Sequence, residues 1–213
     1  MPARYTLHGF FRSGPTYKVG LMLALAGEPF DYVHVNLRES EHKQPAYLAK
    51  QRFGQVPLLV DNENGRQLCQ SASILEYLAD RTGRFGGANL DDRLRAREWM
   101  FWEFDRLAPH IYRPRMARAG LRSFDPAVVA QHETDGRAAL KVLDDHLAGR
   151  DWLVGDGPSI ADVDVYGVIV YAPDGGYDVP AHQNLAAWAK RVEALPGFAR
   201  PEDVLPQATR AAA

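Results

Sequence analysis

The sequence predicts an α/β unit followed by an all-α unit, and three observations support this fold class. Within residues 1–81, short β-favouring segments and amphipathic helical segments follow the order strand, helix, strand, irregular helix, strand, strand, helix. Residues 82–90 contain three glycines and are typical of a linker. Beyond the linker the apolar periodicity is helical, and no strand pattern is evident. We therefore predict domains at 1–81 and 91–213, joined by a linker at 82–90.

Composition narrows the class of protein. The chain has 213 residues, 46% hydrophobic and 24% charged, which is typical of a globular protein. Its 25 basic and 27 acidic residues nearly balance, so charge favours neither nucleic acid nor an acidic membrane as a partner. A single cysteine, Cys69, excludes an internal disulfide. The first eleven residues lack a signal-peptide core and no apolar run reaches eighteen residues, so we expect a cytoplasmic protein.

The first unit begins with a strand over Tyr5 to Phe10. A helix follows Ser13, because apolar residues recur at helical spacing up to the helix-stopping Gly27. Strict alternation then predicts a second strand, parallel to the first, with these side chains on one face: Val33, Val35 and Leu37.

The second half of this unit is predicted from turn signals. A short apolar strand over residues 56–60 leads through Asn64-Gly65, a hairpin turn, into a strand ending at Cys69. A helix over residues 72–81 closes the unit.

The second unit is predicted to contain four main helices. The first covers residues 91–108 and is broken or kinked by two prolines, the second covers 126–147, and the last covers 184–195. Ser159 and Asp162 form a capping box that opens the remaining, largely apolar helix. Asp162 and Asp164 could suggest a metal pair, but the helix dipole explains two carboxylates in a first turn better, and no metal is expected. The tail at 211–213 is expected to be loose.

Ser13 is the first candidate functional residue. A hydroxyl at the start of a helix lies beside unpaired backbone N–H groups and the positive end of the helix dipole. Two interpretations remain open on this evidence, because the serine can serve only as an N-cap or can help to bind an anion such as a thiolate or phosphate.

Several motifs together resemble the cytosolic glutathione transferases, in family order and over nearly the whole chain. The motifs are Arg12-Ser13-Gly14 with Tyr17-Lys18-Val19, Gln55-Val56-Pro57-Leu58-Leu59, Gln70-Ser71-Ala72-Ser73-Ile74, Ser159-Ile160-Ala161-Asp162, and Trp188 with Arg191-Val192-Glu193-Ala194-Leu195-Pro196-Gly197-Phe198. The resemblance implies a thioredoxin-like N-terminal domain followed by a helical bundle. It is nearest to the serine-using, theta- and zeta-like bacterial members.

The resemblance implies that Ser13 donates a hydrogen bond to the glutathione thiolate, which attacks a small, hydrophobic electrophile, as in detoxification. Tyr5 and Thr16 are rival donors. The zeta class has Ser-Ser-Cys where this chain has Ser13-Gly14-Pro15, which makes a zeta-type isomerase less favoured. A non-catalytic binding or carrier protein of the same fold is the other alternative.

Further residues receive roles only through the resemblance. Val56-Pro57 resembles the family's cis-proline, beside which the Val56 backbone would pair with the cysteinyl part of glutathione. Gln70 and Ser71 would hold the γ-glutamyl end. The glutathione site is completed by Phe11 and by candidate donors to the glycine carboxylate: His42, Lys43 and Gln55. One departure concerns this loop, since the family's Asn-Pro is here Gln51-Arg52.

The electrophile is expected in a pocket between the two domains. The residues predicted to line it are Phe10 (with Phe11), Trp102, His110, Tyr112 and Arg113. Members of the family commonly form two-fold dimers, so a homodimer is expected too. Glutathione and a small electrophile are the expected partners, without nucleic acid, membrane or metal.

Overall fold

The computed structural model describes residues 3–212, which form two compact units. The first unit extends to Arg84 and also includes the chain from Leu195 onward, and the second unit is Phe85–Ala194. Residues 1, 2 and 213 lie outside the described part of the chain. The segment after Leu195, assigned with the helical domain by its sequence, thus groups with the α/β unit.

The first unit contains a four-stranded mixed sheet. Its strands are β1 (Tyr5–Gly9), β2 (Phe30–His34), β3 (Leu58–Asp61) and β4 (Arg66–Cys69). The strand order is β2-β1-β3-β4, with β1 parallel to β2 and antiparallel to β3, and β3 antiparallel to β4. Together with the helices below, this sheet confirms the predicted thioredoxin-like α/β fold of the N-terminal part.

The helices follow the predicted order. They are α1 (Gly14–Ala26), α2 (Pro45–Leu48), α3 (Ser71–Thr82), α4 (Leu90–Trp102), α5 (Ala108–Arg118), α6 (Pro126–His146), α7 (Ile160–Ile169), α8 (Gln183–Glu193) and α9 (Pro201–Val204). A π-helical turn, Glu103–Leu107, joins α4 to α5, so the two prolines predicted to break this region instead lie in α5. The 3₁₀ turns are Glu41–Lys43, Pro173–Gly175 and Val179–Ala181.

The face of β2 that meets the core is not the one that carries Val33. Phe30 and Tyr32 are buried, whereas Val33 and Leu37 are partly exposed, although Val35 is buried beyond the strand's end. The parallel register pairs Leu7 of β1 with Tyr32, and both belong to the buried face. Alternation alone fixes which residues share a face but not which face meets the core.

Helix α1 is specified at both ends and is buried between them. Ser13 caps its start, and Gly27 adopts a left-handed conformation (φ 74°) at its end, where its N–H donates to the carbonyls of Leu23 and Ala24. The Tyr17 hydroxyl donates to the Ala199 carbonyl at 2.9 Å, and Gly20 allows the close approach of Val204. These contacts explain why the C-terminal segment belongs to the first unit.

The end of the described chain pairs with β2, so the expectation of a loose tail is wrong up to residue 212. Tyr32 and Arg210 exchange two backbone hydrogen bonds of 2.7 and 2.8 Å. The Ala212 N–H donates to the Asp31 carboxylate at 2.8 Å. This segment covers part of the exposed edge that β2 would otherwise present. Ala213, the last residue of the predicted tail, lies outside the described residues.

The second unit is all-helical, as predicted, and α7 is its most completely buried helix. The predicted capping box is confirmed, because the Ser159 hydroxyl accepts from the backbone at the start of α7 while Asp162 accepts from the Ser159 N–H. Asp162 also accepts hydrogen bonds from the Leu153 N–H at 3.0 Å and the Trp188 indole N–H at 2.8 Å. Its role in the structure is therefore to join α7, α8 and the preceding loop.

Candidate active site

Ser13 lies in the short turn between β1 and α1 and caps α1. Its N–H donates to the Phe10 carbonyl at 2.8 Å, and its hydroxyl oxygen accepts from the Thr16 N–H at 3.2 Å. Among the described residues none accepts the Ser13 hydroxyl proton. The cap therefore uses the oxygen as an acceptor and leaves the O–H able to donate, so capping and anion binding are compatible functions of one side chain.

The two rival donors are placed differently. Tyr5 is fully buried at the opposite end of β1, about 13 Å along the strand from Gly9 by strand geometry, and burial raises the pKa of its phenol. The Thr16 side chain is fully buried in the first turn of α1 and packs against Gly9. Neither hydroxyl faces the open start of α1 as Ser13 does.

An aromatic cluster precedes Ser13. The rings of Phe10 and Phe11 lie 4.7 Å apart, and His34, at the end of β2, lies 5.7 and 5.9 Å from them. The parallel register brings His34 beside Gly9, which explains this contact. His34 was not among the residues selected from the sequence, although parallel strand ends meeting at one sheet edge could have indicated it.

The Val56-Pro57 peptide bond is cis, as the resemblance implied. It lies immediately before β3 at the end of a loop, and Val56 is partly exposed. Among residues 3–212 no group bonds to the Val56 N–H or C=O. An unpaired backbone N–H and C=O beside a strand can accept an added peptide strand.

Helix α3 begins with an open serine. Neither the hydroxyl nor the backbone N–H of Ser71 has a hydrogen-bond partner within the described chain. Gln70, the preceding residue, has the unusual backbone angles φ 69° and ψ 120°, which cost a non-glycine residue about 1–3 kcal/mol. Its side chain donates to the Gln55 amide oxygen at 3.2 Å. The open donors at the positive end of α3 suit a carboxylate.

His42 and Lys43 lie in the 3₁₀ turn before α2. The Lys43 ammonium donates to the Gly54 carbonyl at 2.8 Å and so braces the loop that carries Val56. Burial, with a contribution from the Lys43 charge, lowers the pKa of His42 and favours its neutral form. Lys43 is exposed and remains able to contribute positive charge at this edge.

Two residues of this region were not selected from the sequence, Gln51 in the loop and Tyr47 in α2. Gln51 is buried and accepts hydrogen bonds from the N–H groups of Phe53 and Gln55. The Tyr47 hydroxyl donates to the Gln55 carbonyl at 2.8 Å. Burial raises the pKa of Tyr47, so its hydroxyl stays protonated. No periodic pattern reports such contacts, but the departure from Asn-Pro at Gln51 was a usable signal.

The predicted electrophile-binding residues of the second unit are not gathered around one group. Trp102 packs edge-on against Trp99 at 5.2 Å, and the Tyr112 hydroxyl donates to the Gly167 carbonyl at 3.1 Å. Burial raises the pKa of Tyr112 well above its usual value. His110 and Arg113 share a neighbour, His132, whose ring lies within 2.9 Å of a nitrogen of each.

Two negative findings apply to residues 3–212. None of the helices in this range is long and apolar enough to cross a membrane. In the same range, no group of three or more His, Cys, Asp or Glu side chains is arranged to hold a metal ion.

Comparison with known proteins agrees with the fold. The family described as the glutathione S-transferase N-terminal domain matches residues 3–80, and the glutathione S-transferase C-terminal domain matches residues 107–196. The crystal structure of a glutathione S-transferase from Pseudomonas fluorescens superposes with a TM-score of 0.88 at 30% identity, covering 93% of this chain and 99% of that one.

Two sequence relatives are informative. Glutathione S-transferase theta-1 of Mus musculus is 31% identical over 79% of this chain and 74% of its own length. Maleylacetoacetate isomerase of Rhizobium meliloti is 29% identical over 91% of this chain and 93% of its own length. The chain belongs to the glutathione S-transferase family of enzymes.

Proposed function

We propose that this protein binds glutathione in its first unit, stabilises the thiolate with the Ser13 hydroxyl, and transfers the thiolate to a small hydrophobic electrophile. The observation that carries the proposal is a set of open donors in a single unit: the Ser13 O–H, the Val56 N–H and the Ser71 O–H and N–H. The fold alone gives no reason for these donors to lack hydrogen-bond partners, whereas a bound peptide-like thiol can accept hydrogen bonds from all of them.

The thiolate is the reactive form of glutathione. A free thiol with a pKa near ~8.5 is mostly protonated at neutral pH. A hydroxyl donor and the N-terminal end of α1 both favour the anion, and a shift of about 2 pKa units corresponds to about 2.7 kcal/mol. Ser13 acts here as a hydrogen-bond donor and not as a nucleophile, so it needs no histidine partner.

Binding is proposed to use three elements around the thiol. The Val56 backbone pairs with the cysteinyl residue by strand addition. Ser71, supported by Gln70, binds the γ-glutamyl carboxylate at the start of α3. Lys43 and the adjacent His42, together with Gln55, supply polar groups for the glycine carboxylate.

Retention on immobilised glutathione, followed by conjugation to an aryl halide, tests this proposal. We expect wild-type protein to be retained and to conjugate, and Ser13→Ala to be retained while conjugating about a hundredfold more slowly, the typical cost of one lost anion donor. Retention without conjugation across a broad panel of electrophiles would support a carrier instead. A wild-type protein that is not retained would refute the proposed function.

Zeta-type isomerisation is the second candidate, favoured by the 29% identity to maleylacetoacetate isomerase. In this chain Gly14 and Pro15 follow Ser13, so the tripeptide seen in the zeta class lacks its cysteine. We expect conjugation to be the faster reaction. Isomerisation of maleylacetoacetate at a higher kcat/KM than any conjugation would reverse the assignment.

We further propose that two copies associate through an apolar face of α4. Leu90, Leu94 and Phe101 recur at helical spacing, and Phe104 follows in the π-helical turn. Phe101 and Phe104 are 77% and 73% exposed, which is unusual for large aromatic side chains. In sedimentation, Phe101→Ser should shift a dimer towards the monomer, whereas Val142→Ser on α6 should not. A wild-type monomer at high concentration would refute this association.

A further inference from the structure

The loop between α2 and β3 is organised around one buried amide. Gln51 is only 1% exposed, although glutamine is usually a surface residue. Its amide oxygen accepts from the Phe53 N–H at 2.8 Å and from the Gln55 N–H at 3.3 Å. Its amide nitrogen lies 3.5 Å from the Pro57 carbonyl oxygen, at the limit of a hydrogen bond. One side chain thus contacts the backbone on both sides of Val56.

From these contacts we propose that Gln51 is a positioning residue for glutathione, acting through the Val56 peptide. This inference rests on the proposed function, in which the Val56 N–H and C=O pair with the cysteinyl part of the ligand. Gln51 itself does not contact the ligand in this account. It fixes the direction of the backbone groups that do.

The physical basis is the satisfaction of buried polar groups. The backbone of an irregular loop lacks the regular hydrogen bonds of a helix or sheet, so its N–H groups need side-chain partners or water. The Gln51 amide oxygen accepts from the N–H groups of Phe53 and Gln55, and the Gln51 backbone carbonyl accepts from the Gly54 N–H between them at 2.9 Å. These bonds close residues 51–55 into a compact turn directly before Val56.

Other contacts hold the same turn from outside. Tyr47 donates to the Gln55 carbonyl at 2.8 Å, and Lys43 donates to the Gly54 carbonyl at 2.8 Å. Gln70 bonds the Gln55 side chain and connects the turn to the start of α3. Val56 is therefore left as the open peptide at the end of a braced segment, which reduces the ordering that a ligand must impose on binding.

The same contacts account for the departure from the family pattern at this loop. Glutamine at position 51 is one methylene longer than the asparagine that the resemblance leads one to expect, and its amide reaches both the Gln55 N–H and the Pro57 carbonyl. An asparagine there keeps the amide but shortens its reach. We therefore expect Gln51→Asn to preserve part of the effect and Gln51→Leu to abolish it.

The experiment compares glutathione binding by calorimetry with steady-state kinetics and thermal unfolding. For Gln51→Leu we expect the Kd and KM for glutathione to rise about tenfold or more, since small misplacements of binding groups have effects of this size. The kcat at saturating glutathione should remain within about threefold of wild type, because Ser13 is untouched. Gln51→Asn should fall between Gln51→Leu and wild type.

Tyr47→Phe keeps the test valid if Gln51→Leu does not fold. It removes a single hydroxyl that donates to the Gln55 carbonyl, and we expect a rise in Kd of about threefold. The matched control is Tyr77→Phe, which removes a hydroxyl donating to Asp61 at 2.6 Å in the same unit. The control should lower the unfolding temperature without changing the Kd.

Two negative outcomes are distinguishable. If wild-type protein does not bind glutathione, the proposed function fails and this inference fails with it. If wild-type protein binds, and folded Gln51→Leu or Tyr47→Phe binds with an unchanged Kd while only the unfolding temperature falls, the proposed function stands. Gln51 is then purely structural, and the inference is wrong.

Discussion

Two helices that begin with serine motifs, α3 in the first unit and α7 in the second, differ in how far their hydrogen bonds are satisfied. At α7 the Ser159 N–H and O–H both donate to the Asp162 carboxylate, at 2.8 and 2.9 Å. The Leu153 N–H and the Trp188 indole N–H donate to the same carboxylate. At α3 no described residue bonds the Ser71 hydroxyl or N–H. The donors of Ser159 are thus used within the fold, whereas those of Ser71 stay available to the ligand that we propose.

The largest expected effect is on stability, at the fully hydrogen-bonded start of α7. Asp162 is 1% exposed and accepts four hydrogen bonds. Asp162→Ala leaves those buried donors without an acceptor, and we expect a loss of about 3–5 kcal/mol in the free energy of unfolding. Denaturant titration measures it, and a loss below about 1 kcal/mol would contradict the structural role.

The next largest expected effect is on glutathione binding, at the start of α3. Ser71→Ala removes a donor to the proposed γ-glutamyl carboxylate, and we expect glutathione to bind about 30-fold more weakly, equivalent to about 2 kcal/mol for a charged hydrogen bond. The free energy of unfolding should change by less than about 0.5 kcal/mol. Calorimetry and denaturant titration measure the two quantities.

Two serine variants serve as controls for Ser71→Ala. Ser73→Ala is an exposed change on the same helix and should alter neither binding nor stability. Ser159→Ala should cost about 1 kcal/mol of stability and leave binding unchanged. Equal losses of affinity in all three variants would show that Ser71 has no special role.

A smaller effect concerns the histidine pair of the second unit. The Nδ1 atoms of His110 and His132 lie 2.9 Å apart, and an Arg113 N–H lies 2.9 Å from the His132 Nε2. Since arginine only donates, His132 accepts there and donates from Nδ1 to His110, which leaves both rings neutral. Burial lowers the pKa of both histidines, and Arg113 adds to this effect.

The charged groups that influence His110 are of both signs, and they are Asp105, Arg106, Arg113 and Asp135. The Tyr177 hydroxyl donates to the His110 and His132 carbonyls, and burial raises its pKa to about 12, so it stays neutral. The two histidines are therefore the groups of this cluster whose folded pKa values lie below the ordinary value of a histidine.

Because the folded pKa values lie below 6.5, the unfolded chain binds more protons as the pH falls below about 6.5. The contribution of the pair is present above that pH and is lost as the pH falls through the folded pKa values. We expect the free energy of unfolding to rise with pH by at most about 1.4 kcal/mol per unit for each imidazole. His132→Phe should flatten this dependence, and an unchanged slope would contradict the account.

The sequence predicted most where interactions are local. The Ser13 cap, the Gly27 stop and the Ser159–Asp162 box each involve residues within a few positions along a regular helix, and all three are present. The order of strands and helices follows from periodicity in the same way.

It predicted less where partners are distant or the backbone is irregular. The buried face of β2 reflects pairing with β1, and the ordered C-terminal segment reflects pairing with Tyr32; neither is visible in local alternation. Gln51 was missed because a loop has no period, and Tyr47 was missed because α2, with four residues, is too short to show one. His132 was missed because its contact with His110 joins two helices.

The most direct test of the central account is the titration of the glutathione thiol bound to the protein, followed by the ultraviolet absorbance of the thiolate. With wild-type protein we expect the thiol pKa to lie about 2 units below that of free glutathione. With Ser13→Ala we expect most of this shift to disappear while glutathione still binds. A bound thiol whose pKa is the same in both proteins would contradict the assignment of Ser13 as the donor that stabilises the thiolate.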